Sequence, residues 1–99
     1  MKRHQSHLYK ASNDHLYSEI ATEGAILNIQ SGLYYGLNKT GNQVWQWLQT
    51  SKSFDQLLTL LTDGYDVTLS EAAKDLESLL MEMLENNLIE IVNEVAQVF

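Results

Sequence analysis

The sequence predicts an α+β domain of winged-helix type, in which a three-stranded antiparallel sheet is followed by three helices. Three observations carry this. Residues 16–37 contain short alternating apolar runs separated by Glu23-Gly24 and Ser31-Gly32, the kind of punctuation that tight hairpins need. Residues 40–71 contain three S/T-x-x-E/Q signals, at Thr40–Gln43, Ser53–Gln56 and Thr68–Glu71, each marking a helix start. There is no proline to interrupt either pattern.

The elements follow in order. Residues 1–15 are polar and aperiodic, carry all three histidines, and read as a flexible arm. The domain itself spans 16–91, and residues 92–99 form a tail. In the sheet, a three-residue loop Gln30-Ser31-Gly32 would pair Ile29 with Leu33, Leu27 with Tyr35 and Ala25 with Leu37, placing six apolar or aromatic residues on one face. A two-residue loop would mix Asn28 and Gln30 into that face, so burial favours the longer loop. Tyr35 then points inward and Tyr34 outward. A two-residue turn at Glu23-Gly24 puts Leu16 and Ile20 on the inner face.

The first helix holds Val44, Trp45 and Leu48. Its two tryptophans, Trp45 and Trp47, lie on nearly opposite sides, so one belongs to the core. The second helix holds Leu57, Leu58, Leu60 and Leu61 and stops at Asp63-Gly64. The third, from 69 to 86, carries Ala72, Ala73, Leu76, Leu79, Leu80, Met83 and Leu84 in an i, i+3, i+4 stripe. Asn86-Asn87 ends it. Leu88–Val92 is compatible with a short strand or with an extension of the helix.

Composition excludes several function classes. The 99 residues include no cysteine, so there is no disulfide framework, zinc ribbon or thiol nucleophile. Six basic residues oppose thirteen acidic ones, for a net charge of −7. Nucleic acids and anionic lipids take their affinity from Lys and Arg. The third helix, which a helix-turn-helix reading would send into the major groove, carries one lysine and five acids. A winged-helix nucleic-acid binder is therefore the distant alternative. The longest uncharged run, Gly24–Asn38, is fifteen residues and too polar to span a bilayer. With no secretory signal, a cytoplasmic location is expected.

Chemistry is also missing. His4 and His7 have metal-pair spacing but no third ligand nearby, and His15 reads as a surface histidine. Asp75 with Glu77, and Glu82 with Glu85, read as a solvated face. No nucleophile elbow, phosphate loop or zinc motif occurs. We expect no enzyme activity, no cofactor and no metal.

Peptide binding suits these parts better. If the third strand is a sheet edge, its backbone can accept a peptide as a fourth strand. Leu33–Leu37 offers roughly 16 Å of edge at about 3.3 Å per residue. Four or five hydrogen bonds would contribute about 4 to 5 kcal/mol. Two or three apolar anchors against the third helix would add roughly 4 to 6 kcal/mol. Peptide ordering offsets several kcal/mol of this, leaving nanomolar to micromolar affinity. The acidic third helix favours a peptide carrying Lys or Arg.

The segments Glu23–Ile29, Ser31–Asn38, and Gly41 with Val44-Trp45-Gln46-Trp47-Leu48 resemble the PqqD-like family. So do Phe54–Leu61, the Gly64–Val67 break and the closing helix to Leu88-Ile89; the likeness covers residues 16–91. It implies a recognition element that binds the leader of a ribosomally made, modified peptide and delivers it to modifying enzymes. Carried onto this chain, the family's backbone contacts come from Leu33, Tyr34, Tyr35, Gly36 and Leu37. Its groove comes from Leu76, Leu79, Leu80 and Met83, with Asp75 and Glu82 as a charged rim. The chain looks most like the lasso-peptide branch, which implies as partners a precursor leader peptide, a leader peptidase of cysteine-protease type and a macrolactam synthetase. The alternative branch presents a precursor to a radical-SAM enzyme in pyrroloquinoline-quinone biosynthesis.

Overall fold

Two small antiparallel sheets flank three helices. The computed structural model describes residues 7–13, 15–20 and 23–92. In chain order the elements are β1 (Leu8–Ala11), β2 (His15–Ile20), β3 (Glu23–Asn28), β4 (Tyr34–Leu37), α1 (Lys39–Trp47), β5 (Lys52–Ser53), α2 (Phe54–Gly64), α3 (Leu69–Glu85) and β6 (Ile89–Val92). The expected three-stranded sheet is β2-β3-β4, the wing, and the three expected helices follow it. The α+β class is as the sequence predicts.

A second sheet, ordered β5-β1-β6, corrects the reading of residues 1–15 as an arm. Strand β1 is its central strand, pairing Leu8 with Ser53 on one side and with Val92 on the other. Tyr9 and Ala11 are buried in the core. Ala11 N–H donates to the Leu48 carbonyl at 2.8 Å and Ser12 N–H to the Leu88 carbonyl at 3.0 Å. Residues 1–6, and with them His4, lie outside the described residues. His7 stands edge-on to Tyr9, with ring centroids 6.3 Å apart. His15 is half-buried rather than a surface residue. Its ring stands edge-on to Trp45 at 6.0 Å, and its Nδ1 lies 3.3 Å from the Ser12 carbonyl oxygen. Leu88–Val92 resolves into β6; residues 93–99 lie outside the described residues.

The register of the wing differs from expectation by one residue. Strands β3 and β4 pair Gly24 with Leu37, Ala25 with Gly36, Ile26 with Tyr35 and Leu27 with Tyr34. The loop is therefore Ile29–Gly32, with Gly32 at φ 76°. The reason is Asn28, which the sequence argument treated as a polar intruder. Its Oδ1 accepts from the N–H groups of Gln30 and Ser31, at 2.9 and 3.2 Å, so it caps the turn and costs nothing there. Ile26 accordingly reaches the core fully buried, while Leu33 and Ile29 are 56% and 54% exposed.

The β2–β3 connection is likewise displaced. Leu16 pairs with Leu27, Tyr17 with Ile26 and Ile20 with Glu23, so Glu23 and Gly24 lie within β3 and are not the turn. Tyr17, not Leu16, faces the core; Leu16 is 59% exposed. The Ile20 side chain lies outside the description. Tyr35 points inward and Tyr34 outward, as expected.

Helix α1 begins earlier than Thr40. Asn38 is its N-cap, accepting from Gly41 N–H at 2.8 Å. Ser53 and Gln56 form a full reciprocal capping box on α2, and Thr68 caps α3 through Glu71 N–H. Of the two tryptophans, Trp45 is buried and Trp47 packs half-buried against the core. At the end of α3, Asn87 adopts φ 60°. Leu88 N–H reaches back to the Met83 carbonyl at 2.9 Å and Asn87 N–H to that of Leu84 at 3.1 Å. This Schellman closure turns the chain into β6. The core joins Ile26 and Leu37 of the wing, Val44, Trp45 and Leu48 of α1, and Leu57, Leu76, Leu80 and Met83 of the other helices.

Candidate functional site

Strand β4 is the outer strand of the wing, and among the described residues no strand pairs with its other side. Which groups are free follows from the turn. Asn28 N–H donates to the Leu33 carbonyl at 2.9 Å, making Asn28–Leu33 a hydrogen-bonded pair. Antiparallel pairs alternate, so Tyr35 and Leu37 direct their backbone groups to β3. Tyr34 and Gly36 direct theirs to the open edge, which gives two donors and two acceptors. Leu33 adds none. Its N–H lies 3.3 Å from Ser31 Oγ and its carbonyl is the one that accepts from Asn28. The expected five-residue contact therefore reduces to a shorter stretch of free edge.

Beside this edge runs a groove of about 480 Å³. One wall is Tyr34, Tyr35, Gly36 and Leu37; the other is Leu79, Glu82 and Met83 of α3. Asn38 and Gly41 close one end, and Asn86 and Leu88 contribute from the α3–β6 turn. No sequence pattern marks these four as part of a site. Two of them, Asn38 and Asn86, are helix caps, and only the topology brings caps of different helices to one groove.

The α3 residues expected at the site divide by helical angle. Leu79 is half-buried and Met83 buried, both facing the groove, and Glu82 is exposed on its rim. Asp75 and Leu76 instead line an adjoining depression of about 110 Å³, with Thr40, Leu61, Tyr65 and Val67; Leu79 borders both. Leu76 and Leu80, 1% and 2% exposed, are core residues that do not line the groove, whereas Met83, equally buried, reaches its floor. Leu80 touches a different depression, beyond α3, with Tyr9, Met81 and Ile91.

The arrangement suits an extended peptide. Strand pairing would use the Tyr34 and Gly36 backbone, and alternate side chains would meet Leu79 and Met83. Glu82 is the charged residue among those lining the groove and complements a basic side chain. Among the described residues, no cluster of three His, Asp or Glu is placed to hold a metal ion, and no helix is long and apolar enough to cross a membrane.

Comparison with known proteins bears on the fold and the family. Two solved structures share the fold. One is described as TbiB1 in complex with the TbiA(beta) leader peptide. It superposes with a TM-score of 0.76 at 26% identity, over 82% of this chain and 94% of that one. The other, a lasso peptide synthetase B1 complexed with the leader peptide, gives a TM-score of 0.73 at 23% identity, over 83% and 96%. No curated protein sequence matches significantly. The family model for coenzyme PQQ synthesis protein D (PqqD) matches residues 23–89, from the second wing strand to the start of β6. The chain belongs to the PqqD family.

Proposed function

We propose that this protein is a leader-binding adaptor for a ribosomally synthesised, modified peptide, with a lasso-peptide pathway favoured. The single observation that carries the reading is the unpaired β4 edge lying beside an apolar groove against α3. The support from outside is the 26%-identical structure whose own description includes a bound leader peptide. The leader adds as a strand beside Tyr34–Leu37, hydrogen-bonding to Tyr34 and Gly36, and seats apolar side chains on Leu79 and Met83. Four such bonds contribute about 4 kcal/mol and apolar burial supplies the remainder. Glu82 on the rim, and Asp75 one depression away, favour basic residues in the leader. The bound precursor is then delivered to a leader peptidase of cysteine-protease type and to a macrolactam synthetase. The adaptor itself performs no chemistry.

The test is a fluorescence-anisotropy titration of the protein into the labelled leader of the precursor encoded beside it. The core segment of the precursor and a DNA duplex serve as controls. Submicromolar binding to the leader alone is expected. A folded protein that ignores the leader, or binds duplex DNA more tightly, overturns the reading.

A further inference from the structure

The two walls of the groove rest on different neighbours. Strands β3 and β4 pack on α1, whereas α3 packs chiefly on α2 and β6. The position of the β4 wall therefore depends on how the wing seats on α1.

That seat contains a buried polar group. Asn42 of α1 is 5% exposed, and the Tyr17 hydroxyl of β2 donates to its Oδ1. The Tyr17 ring also stacks on Trp45, with centroids 6.4 Å apart and planes 28° apart. Gly24 of β3 completes the contact by having no side chain. A Cβ there would stand 2.8 Å from Tyr17 Cε1 and would overlap Asn42 Oδ1. Gly24 lies directly opposite Leu37, so anything that lifts Gly24 off α1 also moves the end of β4. None of the three residues lines the groove.

We propose that Tyr17, Asn42 and Gly24 form a clamp that sets the width of the peptide groove, and that they are positioning residues for leader binding without touching the leader. The proposal rests on the leader-binding reading above. Its physical basis is that a bound strand must satisfy two demands at once. Its backbone needs N···O distances of about 2.7–3.2 Å to β4. Its side chains must at the same time close on Leu79 and Met83. A wing that rocks on α1 meets both demands for only part of the time, and apparent affinity falls by that fraction. Hydrogen-bonded seating of Tyr17 on Asn42, with Gly24 flush against both, removes the rocking.

The experiment compares leader titrations of the wild type, Gly24→Ala, Tyr17→Phe and a control, Leu57→Val. Leu57 is fully buried in α2, outside both clamp and groove. All are measured well below their unfolding midpoints, so that every variant is fully folded. We expect Gly24→Ala and Tyr17→Phe each to bind roughly tenfold more weakly, the equivalent of one or two lost hydrogen bonds. Leu57→Val should bind as the wild type does, even where its midpoint falls as far. Should Gly24→Ala not fold, Tyr17→Phe decides. Clamp variants within roughly twofold of the wild type overturn the proposal, as does an equal loss in Leu57→Val. A wild type that fails to bind removes the functional reading itself, and the clamp with it.

Discussion

Gly36 holds the most informative single position on the β4 edge. Its backbone faces the open side, and a Cβ built there meets no atom within 4 Å. Proline at an edge strand removes a donor without breaking a ladder hydrogen bond. We expect Gly36→Pro to leave the circular dichroism spectrum and unfolding midpoint nearly unchanged while weakening leader binding by roughly tenfold, through one lost hydrogen bond and a clash with the incoming strand. An unchanged titration would show that the peptide does not pair with β4. At this scale the sequence was informative about residue type and less so about angle. The stripe on α3 was legible from its spacing, but Leu76, Leu80 and Met83 are all buried in the core, and of the stripe only Leu79 and Met83 border the groove. Periodicity identifies an apolar arc and cannot say which edge of the arc is left uncovered.

At the scale of elements, the helix boundaries were legible where side chains cap backbone groups. Ser53 and Gln56 behave as their spacing implies, and Thr68 serves as a cap. The first helix starts at Asn38 because an asparagine there competes successfully with Thr40 for the same role. The wing register departs from the alternation of apolar residues because Asn28 serves the turn rather than a sheet face. Its amide oxygen in fact satisfies two turn N–H groups, which makes a polar residue the favourable choice at that strand end. Asn87 is a comparable case at the end of α3. A branched residue cannot adopt φ 60° without strain, at about 1–2 kcal/mol. We expect Asn87→Val to lower the unfolding midpoint by roughly 4 to 16 °C, and Asn87→Gly to leave it level or raise it, in a thermal melt. A neutral Asn87→Val would mean that the turn tolerates a different backbone path.

For the whole molecule, the feature that the sequence concealed is the sheet formed by β5, β1 and β6. Each of its strands is four residues or fewer, and β1 lies in a polar stretch, so no local pattern marks it. Between β5 and β6, Tyr9 becomes a core residue, 4% exposed. Tyr9→Ala should therefore destabilise the protein by about 3 kcal/mol, in line with other buried aromatic truncations, a large share of a small domain's stability. The check is urea unfolding followed by circular dichroism. A loss under about 1 kcal/mol would restore the picture of a dispensable arm.

The same pairing has a consequence for how the chain reaches its native state. Leu8 sits opposite Val92, so the first of the described strands must wait for the last. The wing and its hairpins can form locally and early, but the sheet that buries Tyr9 requires a loop closure spanning nearly the whole domain. During synthesis β1 can pair first with the two residues of β5, and its longer pairing waits until β6 is released. The α3 wall of the groove packs against β6, so the groove takes its final shape only when β6 has joined the sheet.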